Sequence, residues 1–302
     1  MNTLEKCVTS KDSGVNIRDF LKDELGLSSR LIRRSAREKR IFVNDKAVKM
    51  SFNLSEGDKV KIDLDREESQ DIIPEKMDLD IVYEDQDILV INKRPFMVVH
   101  PTKTYQSGTL ANGVINYFKE TGQGCIVRLV SRLDMNTSGL IVIGKNQYAH
   151  MALSNDMKEN KMQKRYLAIV HGNMKEKEGT IDLPIYRPEK EDGFSSIKRV
   201  VDDRGQRSIT HYKVLERFKG GDLVECLLET GRTHQIRVHL SSLGHPIYGD
   251  FLYGDGDNEV ELINRQALHA YGLDFKSPRN KTPLSLRANM PDDFKELIEK
   301  IK

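Results

Sequence analysis

The order of the apolar runs after residue 78 constrains the fold of this chain more than any other feature of its sequence. The runs "LIVIGK", "RYLAIVHG" and "LVECLLET" are short and rich in aliphatic and β-branched residues, which favours buried strands. Helical patterns occur between such runs only at irregular intervals, so the regular strand–helix alternation of an α/β fold is missing. The sequence therefore predicts an α+β fold with a mixed, mostly antiparallel sheet in this part of the chain.

Three helices are predicted within the same part. The residues after Asn146 repeat apolar side chains at every fourth position, which places them on one helical face. A second helix is predicted with Thr233 as its N-cap and with Gly244 as the residue that ends it. The last helix is predicted to start at Pro291, since proline is well tolerated at the beginning of a helix.

The composition shifts near residue 66, which predicts two domains. Residues 1–66 read as a small α/β domain, with two short helices followed by two strand-like segments. Residues 67–77 are charged and contain Pro74, as is typical of a linker. Residues 78–302 then form the larger domain.

The second helix of the small domain is unusually basic. Between residues 28 and 40 the chain has six basic residues and one acidic residue, and four of the arginines recur at positions i, i+3, i+4 and i+7. Like charges at this spacing repel each other, so the helix favours an anionic partner, and the phosphates of nucleic acid supply one. An idle basic surface is the alternative. The predicted nucleic-acid-binding residues are Arg30, Arg33, Arg34, Arg37 and Arg40.

This domain resembles a known RNA-binding module. The pattern "FLKDELGLSSRLIRRSAREKRIFVNDKAV…LSEGDKVKID" is similar to the alpha-L domain, which is named for a small-subunit ribosomal protein. The similarity covers roughly residues 15–64. It implies recognition of structured RNA through shape and phosphate contacts, because the major groove of an RNA helix is inaccessible to side chains.

The overall composition excludes several classes of protein. The chain has 48 basic and 46 acidic residues, so its formal net charge of +2 indicates no partner by itself. No apolar run approaches the roughly 20 residues of a membrane span, and the first residues lack the apolar core of a signal peptide. We therefore expect a cytoplasmic protein with no membrane partner. The three cysteines are too widely separated to predict a disulfide framework or a zinc site.

Three segments of the larger domain carry candidate chemistry. The first is "SRLDMNTSGL", in which Arg132 and Asp134 precede a buried strand; a surface ion pair is the alternative. The second is "KRYLAIVHG", in which Tyr166 enters a strand; such a tyrosine is more often a structural aromatic residue. The third, "LETGRTHQIRVHLSSLGHPIYGD", places Arg237 on a helix at the rim of its buried face.

Other kinds of site receive little support from these segments. His234 and His239 lie about 140° apart on a helix of 3.6 residues per turn, so the sequence predicts no metal site. The glycines near residue 244 lack the Lys-Ser/Thr ending of a phosphate-binding loop. A glycosidase with paired carboxylates would need a second acid, and Glu229 is the one obvious neighbour.

Taken together, the three segments resemble the motifs of a pseudouridine synthase of the large-subunit ribosomal type. "IVYEDQDILVINK" and "LHA" at residues 268–270 extend the similarity, which spans nearly the whole chain with the alpha-L domain. The sequence departs from the family pattern in two places. Ser131 stands where the family commonly has histidine, and Arg94-Pro95-Phe96 stands where Pro-x-Gly is expected, which leaves the choice of target open.

The resemblance implies an isomerase that converts uridine to pseudouridine in structured RNA, with large-subunit ribosomal RNA as the expected partner and transfer RNA as the alternative. It implies that Asp134 is the nucleophile and that Arg237 pairs with it. It also implies that Tyr166 stacks on the uracil and can assist deprotonation at C5. The family's reaction exchanges no electrons, so we expect no cofactor, nucleotide or metal, and we expect a monomer. A catalytically inactive RNA-binding protein and a base-excising glycosidase are the rival hypotheses. The substrate-binding residues implied are Arg132, Arg232 and Leu228.

Overall fold

The computed structural model describes residues 2–65, 69–189 and 196–302. Its six α-helices within these ranges are α1 (Ile17–Asp23), α2 (Ser29–Arg37), α3 (Leu110–Glu120), α4 (Gln147–Lys158), α5 (Gln235–Ser242) and α6 (Asp292–Ile301). The strands there are β1 (Thr3–Cys7), β2 (Ile41–Val43), β3 (Lys46–Ala47), β4 (Lys59–Asp63), β5 (Ile81–Glu84), β6 (Ile88–Lys93), β7 (Arg128–Leu129), β8 (Ser138–Gly144), β9 (Gln163–His171), β10 (Glu178–Asp182), β11 (Ile185–Tyr186), β12 (Val200–Val201), β13 (Ile209–Arg217), β14 (Gly221–Leu228), β15 (Leu268–Lys276) and β16 (Pro283–Arg287).

A ten-stranded sheet forms the larger part of the molecule. Its order is β10-β13-β14-β9-β15-β8-β6-β5, with β16 beside β15 and β7 beside β8. The pairing of β15 with β8 is parallel, whereas the other strand pairs of this sheet are antiparallel. The predicted α+β class with a mostly antiparallel sheet is confirmed.

The apolar runs are continuous because β6 and β8 are covered on both faces. Leu89 and Ile141 point toward α3, where they share a core with Phe118. Val90 and Val142, one position further along each strand, point to the opposite face and pack with residues of α4. Successive side chains of a strand alternate between faces, so a strand with helices on both sides needs apolar residues at every position.

The other half of the sheet is covered by α5 and α6. Leu240 of α5 and Phe294 of α6 are fully buried against residues of β9, β14 and β15. α6 begins one residue later than predicted, with Pro291 at its N-cap position. No helix within the described ranges is long and apolar enough to cross a membrane.

Thr233 was expected to cap α5, and this prediction is wrong. His234 occupies the N-cap position, with a left-handed φ of 59°, and its side chain makes no capping hydrogen bond. The side chain of Gln235 instead accepts the backbone N–H of Arg232 at 3.0 Å, which holds the loop that enters the helix. The prediction that Gly244 ends this helix agrees with its φ of +82° directly after the C-cap residue.

The N-terminal residues form a separate four-stranded antiparallel sheet in the order β1-β4-β2-β3, with α1 and α2 packed on it. Ser28 caps α2, because its hydroxyl oxygen accepts the N–H of Leu31 at 3.2 Å. The core of this unit also includes Tyr148 of α4, which joins it to the large sheet. The predicted boundary at residues 66 and 67 lies outside the described residues. Within the predicted linker, Ile72 is buried in the core below α3.

Gly139 lies where the two halves of the large sheet meet. Ser138 and Gly139 of β8 pair with His269 and Ala270 of β15 in the parallel step of the sheet. Gly139 has a φ of +115°, and a Cβ atom at this position would lie 2.2 Å from the carbonyl oxygen of Ala270. Only glycine permits this approach, which sets the position of the loop that precedes β8.

We expect Gly139→Ala to lower the free energy of unfolding by about 3 kcal/mol, because the methyl group overlaps a backbone carbonyl and the backbone angle is strained. Urea unfolding followed by circular dichroism measures this loss. Gly124→Ala is the matched control, since an added Cβ there has no neighbour within 4 Å. Equal stability of the two variants would contradict a tight contact at the junction.

Candidate active site

Asp134 lies in the loop between β7 and β8, directly before the junction of the two sheet halves. Its side chain is 29% exposed and faces a pocket with about 370 Å³ of empty space. The backbone carbonyl of Asp134 accepts the N–H of Thr137 at 3.1 Å, so the loop closes as a tight turn. The six residues predicted to bind or react with substrate all line this pocket: Arg132, Asp134, Tyr166, Leu228, Arg232 and Arg237.

Arg237 joins two carboxylates inside the protein. Its Nη1 donates to Oδ2 of Asp134 at 2.9 Å, and its Nε and Nη2 donate to the two carboxylate oxygens of Asp250 at 2.7 and 2.8 Å. Burial opposes the charge of Arg237, but the ion pair with Asp250, and then that with Asp134, raises its pKa above the ordinary value. The sequence placed Arg237 at the rim of the buried face; the structure buries it, at 7% exposure.

Asp250 was not identified from the sequence, although it anchors the site. It is fully buried and, besides Arg237, accepts the backbone N–H groups of Leu252 and Tyr253 at 3.0 and 3.1 Å. The signal for it was present, because Asp250 closes the "LGHPIYGD" stretch and a buried arginine needs a carboxylate partner.

His234 and Tyr253 form the wall behind Asp134. Nε2 of His234 lies 3.7 Å from Oδ2 of Asp134, and its Nδ1 is bonded to the hydroxyl of Tyr253 at 2.8 Å. Burial lowers the pKa of His234, which favours the neutral imidazole. The Tyr253 ring also lies 5.0 Å from the guanidinium carbon of Arg237. His239 points elsewhere, toward Thr210 and a backbone carbonyl, so the two histidines share no site.

Tyr166 closes the apolar side of the pocket from β9. Its side chain is buried, and burial, with a further contribution from the charge of Asp134, raises its pKa well above the ordinary value. Leu228 lies at the end of the neighbouring β14, and Arg232 and Arg132 are exposed at the mouth. The pocket therefore combines a flat apolar wall with a carboxylate at its base and guanidiniums at its rim.

Two buried cations hold the backbone directly after Asp134. Lys93 donates to the carbonyl oxygen of Met135 at 3.0 Å, and also to those of Arg94 and Met97. Burial and then the charge of Arg265 lower the pKa of Lys93 to about 7, and the charge of Asp134 acts in the opposite direction.

Arg265, which is fully buried, is the second of these cations. It donates to the carbonyl oxygen of Asn136 at 3.2 Å and forms a two-bond ion pair with Asp293 of α6. Neither Lys93 nor Arg265 was identified from the sequence, because each acts on the backbone of a distant loop.

Phe96 shows why a glycine is expected at its position. It has a left-handed φ of 58°, which is uncommon for a bulky residue, and its side chain is exposed. The next residue, Met97, donates its N–H to the carbonyl oxygen of Met135 at 3.2 Å. The departure from the family pattern at residues 94–96 therefore lies beside the Asp134 loop. The other departure, Ser131, lies on the wider opening of the same pocket.

The arginines of α2 form a second site, which we call the α2 surface: Arg30, Arg33, Arg34 and Arg37. Arg34 pairs with Glu38 at 3.5 Å. Arg40 does not join this surface, because its guanidinium is bonded to Glu38 and to the backbone carbonyl of Asp63. Burial and then the charge of Arg34 lower the pKa of Arg128, in β7, to about 10.

The segment that contains this site matches a known protein family. A family model described as RNA pseudouridylate synthase covers residues 87–242, just over half of the chain, including all six pocket residues. The chain belongs to this family. Like the family, the chain is therefore an RNA pseudouridine synthase, and the resemblance inferred from its motifs is confirmed.

Individual relatives of the synthase agree with this assignment. It is 39% identical to the uncharacterized RNA pseudouridine synthase YlyB of Bacillus subtilis, over 100% of this chain and 99% of the relative. It is 37% identical to the ribosomal large subunit pseudouridine synthase D of Neisseria meningitidis, over 88% and 73%. Among solved structures, human RNA pseudouridylate synthase domain containing 1 superimposes with a TM-score of 0.58 at 28% identity, over 70% and 83% of the two chains.

The two carboxylates of the synthase should differ in their effect on stability. We expect Asp250→Asn to lower the free energy of unfolding by about 3 kcal/mol, because it breaks a buried ion pair. Asp134→Asn should cost less than about 1 kcal/mol, because this carboxylate is partly exposed and Arg237 keeps Asp250 as its partner. Urea unfolding at neutral pH compares the two variants. Equal losses would show that Asp250 is not the main anchor of Arg237.

Proposed function

We propose that this synthase isomerises uridine in large-subunit ribosomal RNA, with Asp134 as the nucleophile that attacks a uridine turned out of the RNA. One observation carries the proposal: Asp134 is the carboxylate at the base of the pocket, and Arg237 fixes it while being fixed itself by Asp250. A nucleophile held in one orientation gains rate because less orientational freedom is lost in the reaction.

The two oxygens of Asp134 have different surroundings. Arg237 and His234 both approach Oδ2. We therefore assign the attack to Oδ1, while the guanidinium on Oδ2 holds the carboxylate in one orientation.

The chemistry of isomerisation asks little else of the site. The bond between uracil N1 and ribose C1′ breaks, a bond from C5 to C1′ forms, the proton on C5 leaves, and N1 gains a proton. Atoms and electrons balance within the nucleotide and the solvent. The protein has to supply a nucleophile that later departs, a surface on which the base can turn, and routes for two protons.

We assign the turning surface to Tyr166. Stacking of a base on an aromatic ring contributes about 1–3 kcal/mol and does not depend on the orientation of the base within its plane. The raised pKa of Tyr166 keeps its phenol protonated at neutral pH, so a phenolate that removes the C5 proton is scarce. The proposed role of Tyr166 therefore rests on stacking by its aromatic ring and not on its phenolate as a base.

Access to Asp134 requires the uridine to leave the RNA stack. Flipping a base costs a few kcal/mol, and side chains that occupy the gap reduce this cost. Arg132 is exposed at the mouth of the pocket, two residues before Asp134. We therefore propose that Arg132 fills the gap that the flipped uridine leaves in the RNA, and that Arg232 and Leu228 contact the bound nucleotide.

Large-subunit ribosomal RNA is the substrate that the relatives favour, because several are named as ribosomal large subunit pseudouridine synthases. The α2 surface supports a structured RNA, since its guanidiniums can bind phosphates without reading bases.

Asp134→Asn should retain RNA affinity within about twofold and lower the rate of pseudouridine formation at least about 10³-fold, because the amide cannot act as the nucleophile. Carbodiimide treatment of large-subunit ribosomal RNA followed by primer extension measures the product. Asp257→Asn removes an exposed carboxylate outside the pocket and serves as the control. Turnover by Asp134→Asn near the wild-type rate would exclude Asp134 as the nucleophile.

The same assay tests the other parts of the proposal. Release of free uracil by the wild-type protein would identify a base-excising glycosidase instead. Pseudouridine formed in transfer RNA, with none in large-subunit ribosomal RNA, would overturn the proposed substrate and leave the proposed chemistry intact.

The double variant Arg33→Glu with Arg37→Glu should weaken RNA binding and make it less sensitive to salt. Loss of two phosphate contacts reduces the slope of log affinity against log salt by about 1.4 to 1.8. Filter binding between 50 and 200 mM salt gives this slope. Arg18→Glu with Lys22→Glu reverses two charges on α1, outside the α2 surface, as a control. An unchanged slope in the α2 variant would remove this helix from the RNA-binding surface.

A further inference from the structure

A second basic surface opens beside the active site. We call it the arginine groove; it lies between the β11–β12 hairpin and the loop from β14 to α5, and it has about 1000 Å³ of empty space. Three of its arginines, Arg187, Arg199 and Arg204, come from the hairpin and the turn after it. The other two, Arg132 and Arg232, also line the active-site pocket. The groove and the pocket are therefore continuous.

Within the described part of the chain, the lining of the groove carries five arginines and no carboxylate. Among the described residues, only Arg204 has a carboxylate partner within this groove, at 2.7 Å from Asp202. Arg187 and Arg199 donate instead to the backbone carbonyl of Ser196, and Arg232 donates to the carbonyl of Arg207. A carbonyl oxygen satisfies a hydrogen bond but carries no charge, so these guanidiniums remain available to an anion.

Arg187 and Arg199 lie close enough to affect each other. Partial burial, and then the charge of Arg187, lower the pKa of Arg199. Two like charges held near each other repel, and an anion placed between them removes this repulsion.

The hairpin is connected to the catalytic residues. The backbone N–H of Arg199 donates to the hydroxyl of Tyr253 at 2.8 Å, and the same hydroxyl is bonded to His234 beside Asp134. Arg204 is held over the ring of Tyr186, at 4.4 Å from its centroid. The groove is thus a fixed part of the structure, and its distance from Asp134 is set by direct contacts.

We propose that the arginine groove binds the phosphate backbone of the RNA strand that presents the target uridine, on one side of that uridine. This inference rests on the proposed function. Planar guanidiniums bind phosphate oxygens in pairs of hydrogen bonds, and the continuity with the pocket means that a strand in the groove is the strand that presents the uridine. Arg132 and Arg232 line both the pocket and the groove, so they mark the point where the bound strand reaches the pocket.

The test is the double variant Arg187→Gln with Arg199→Gln on a large-subunit ribosomal RNA transcript. We expect KM to rise about tenfold with kcat unchanged, because the variant loses charged hydrogen bonds outside the reacting centre. The slope of log affinity against log salt should fall by about 1.4, which corresponds to two phosphates of a single strand. An unchanged KM and an unchanged slope would overturn the proposal.

Lys213→Gln with Lys219→Gln is the matched control, because it removes the same charge elsewhere. In the sheet register, Lys213 of β13 lies beside Glu225 of β14, and Tyr166 of β9 lies beside the next residue, Cys226. Neighbouring residues of a strand point to opposite faces, so the side chains of Lys213 and Tyr166 lie on opposite faces of the sheet. Lys219 lies in the turn between β13 and β14, at the far end of β14 from Leu228. An equal rise in KM in this control would show a general effect of charge and would overturn the role of the groove.

Shortened RNAs test which flank the groove holds. After the modified uridine is mapped, two fragments are compared, each lacking the nucleotides on one side of it. The effect of the groove variant on KM should vanish with one of the two fragments and persist with the other. An effect that persists with both fragments would contradict binding of one flank of the uridine.

The lysine variant distinguishes a change of fold from a loss of contacts with RNA. Arg187→Lys with Arg199→Lys keeps the charge and should restore most of the salt slope; a slope as low as that of the glutamine variant would overturn the phosphate assignment. If the glutamine double variant unfolds, Arg187→Gln alone should lower the slope by about half as much. If the wild-type protein forms no pseudouridine on any RNA, the proposed function fails, whereas the salt slope still decides whether the groove binds RNA.

Discussion

The guanidinium of Arg237 is the interaction on which the site depends. It links the Asp134 loop to α5 and, through Asp250, to the turn that follows this helix. A buried cation needs compensation, and Asp250 supplies it almost entirely inside the protein. Asp134 is therefore left as the second, partly exposed partner, which can serve a substrate without leaving Arg237 unpaired. The protein separates the carboxylate that stabilises the fold from the carboxylate available for chemistry.

The large sheet brings the parts of the site together at its one parallel step. Asp134 precedes β8, Tyr166 lies on β9, and β15 runs between these two strands. The close contact at Gly139 fixes this arrangement, and Lys93 and Arg265 then hold the carbonyl groups that follow Asp134. Several interactions thus fix one short loop: backbone pairing, a glycine contact and two buried cations. A preorganised site is expected to be held in this way.

The sequence predicted most of what depends on local patterns. The strands at β8, β9 and β14 and the shared face of the α2 arginines follow from periodicity, and the pocket residues followed from motifs. What it missed depends on distant partners. Lys93 and Arg265 are visible only once the chain has folded. Thr233 failed as a cap because the backbone at His234 turns left-handed. Arg187 and Arg199 are separated by a dozen positions that show no pattern, so nothing indicated that they share a groove.

The ion pair between Arg265 and Asp293 gives the last helix a part in the active site. Asp293 lies in the first turn of α6, and its partner holds the carbonyl of Asn136, two residues after Asp134. No residue of α6 lines the pocket, yet loss of this helix would leave Arg265 as a buried cation without its carboxylate. The packing of α6 and the geometry of the Asp134 loop are therefore energetically coupled.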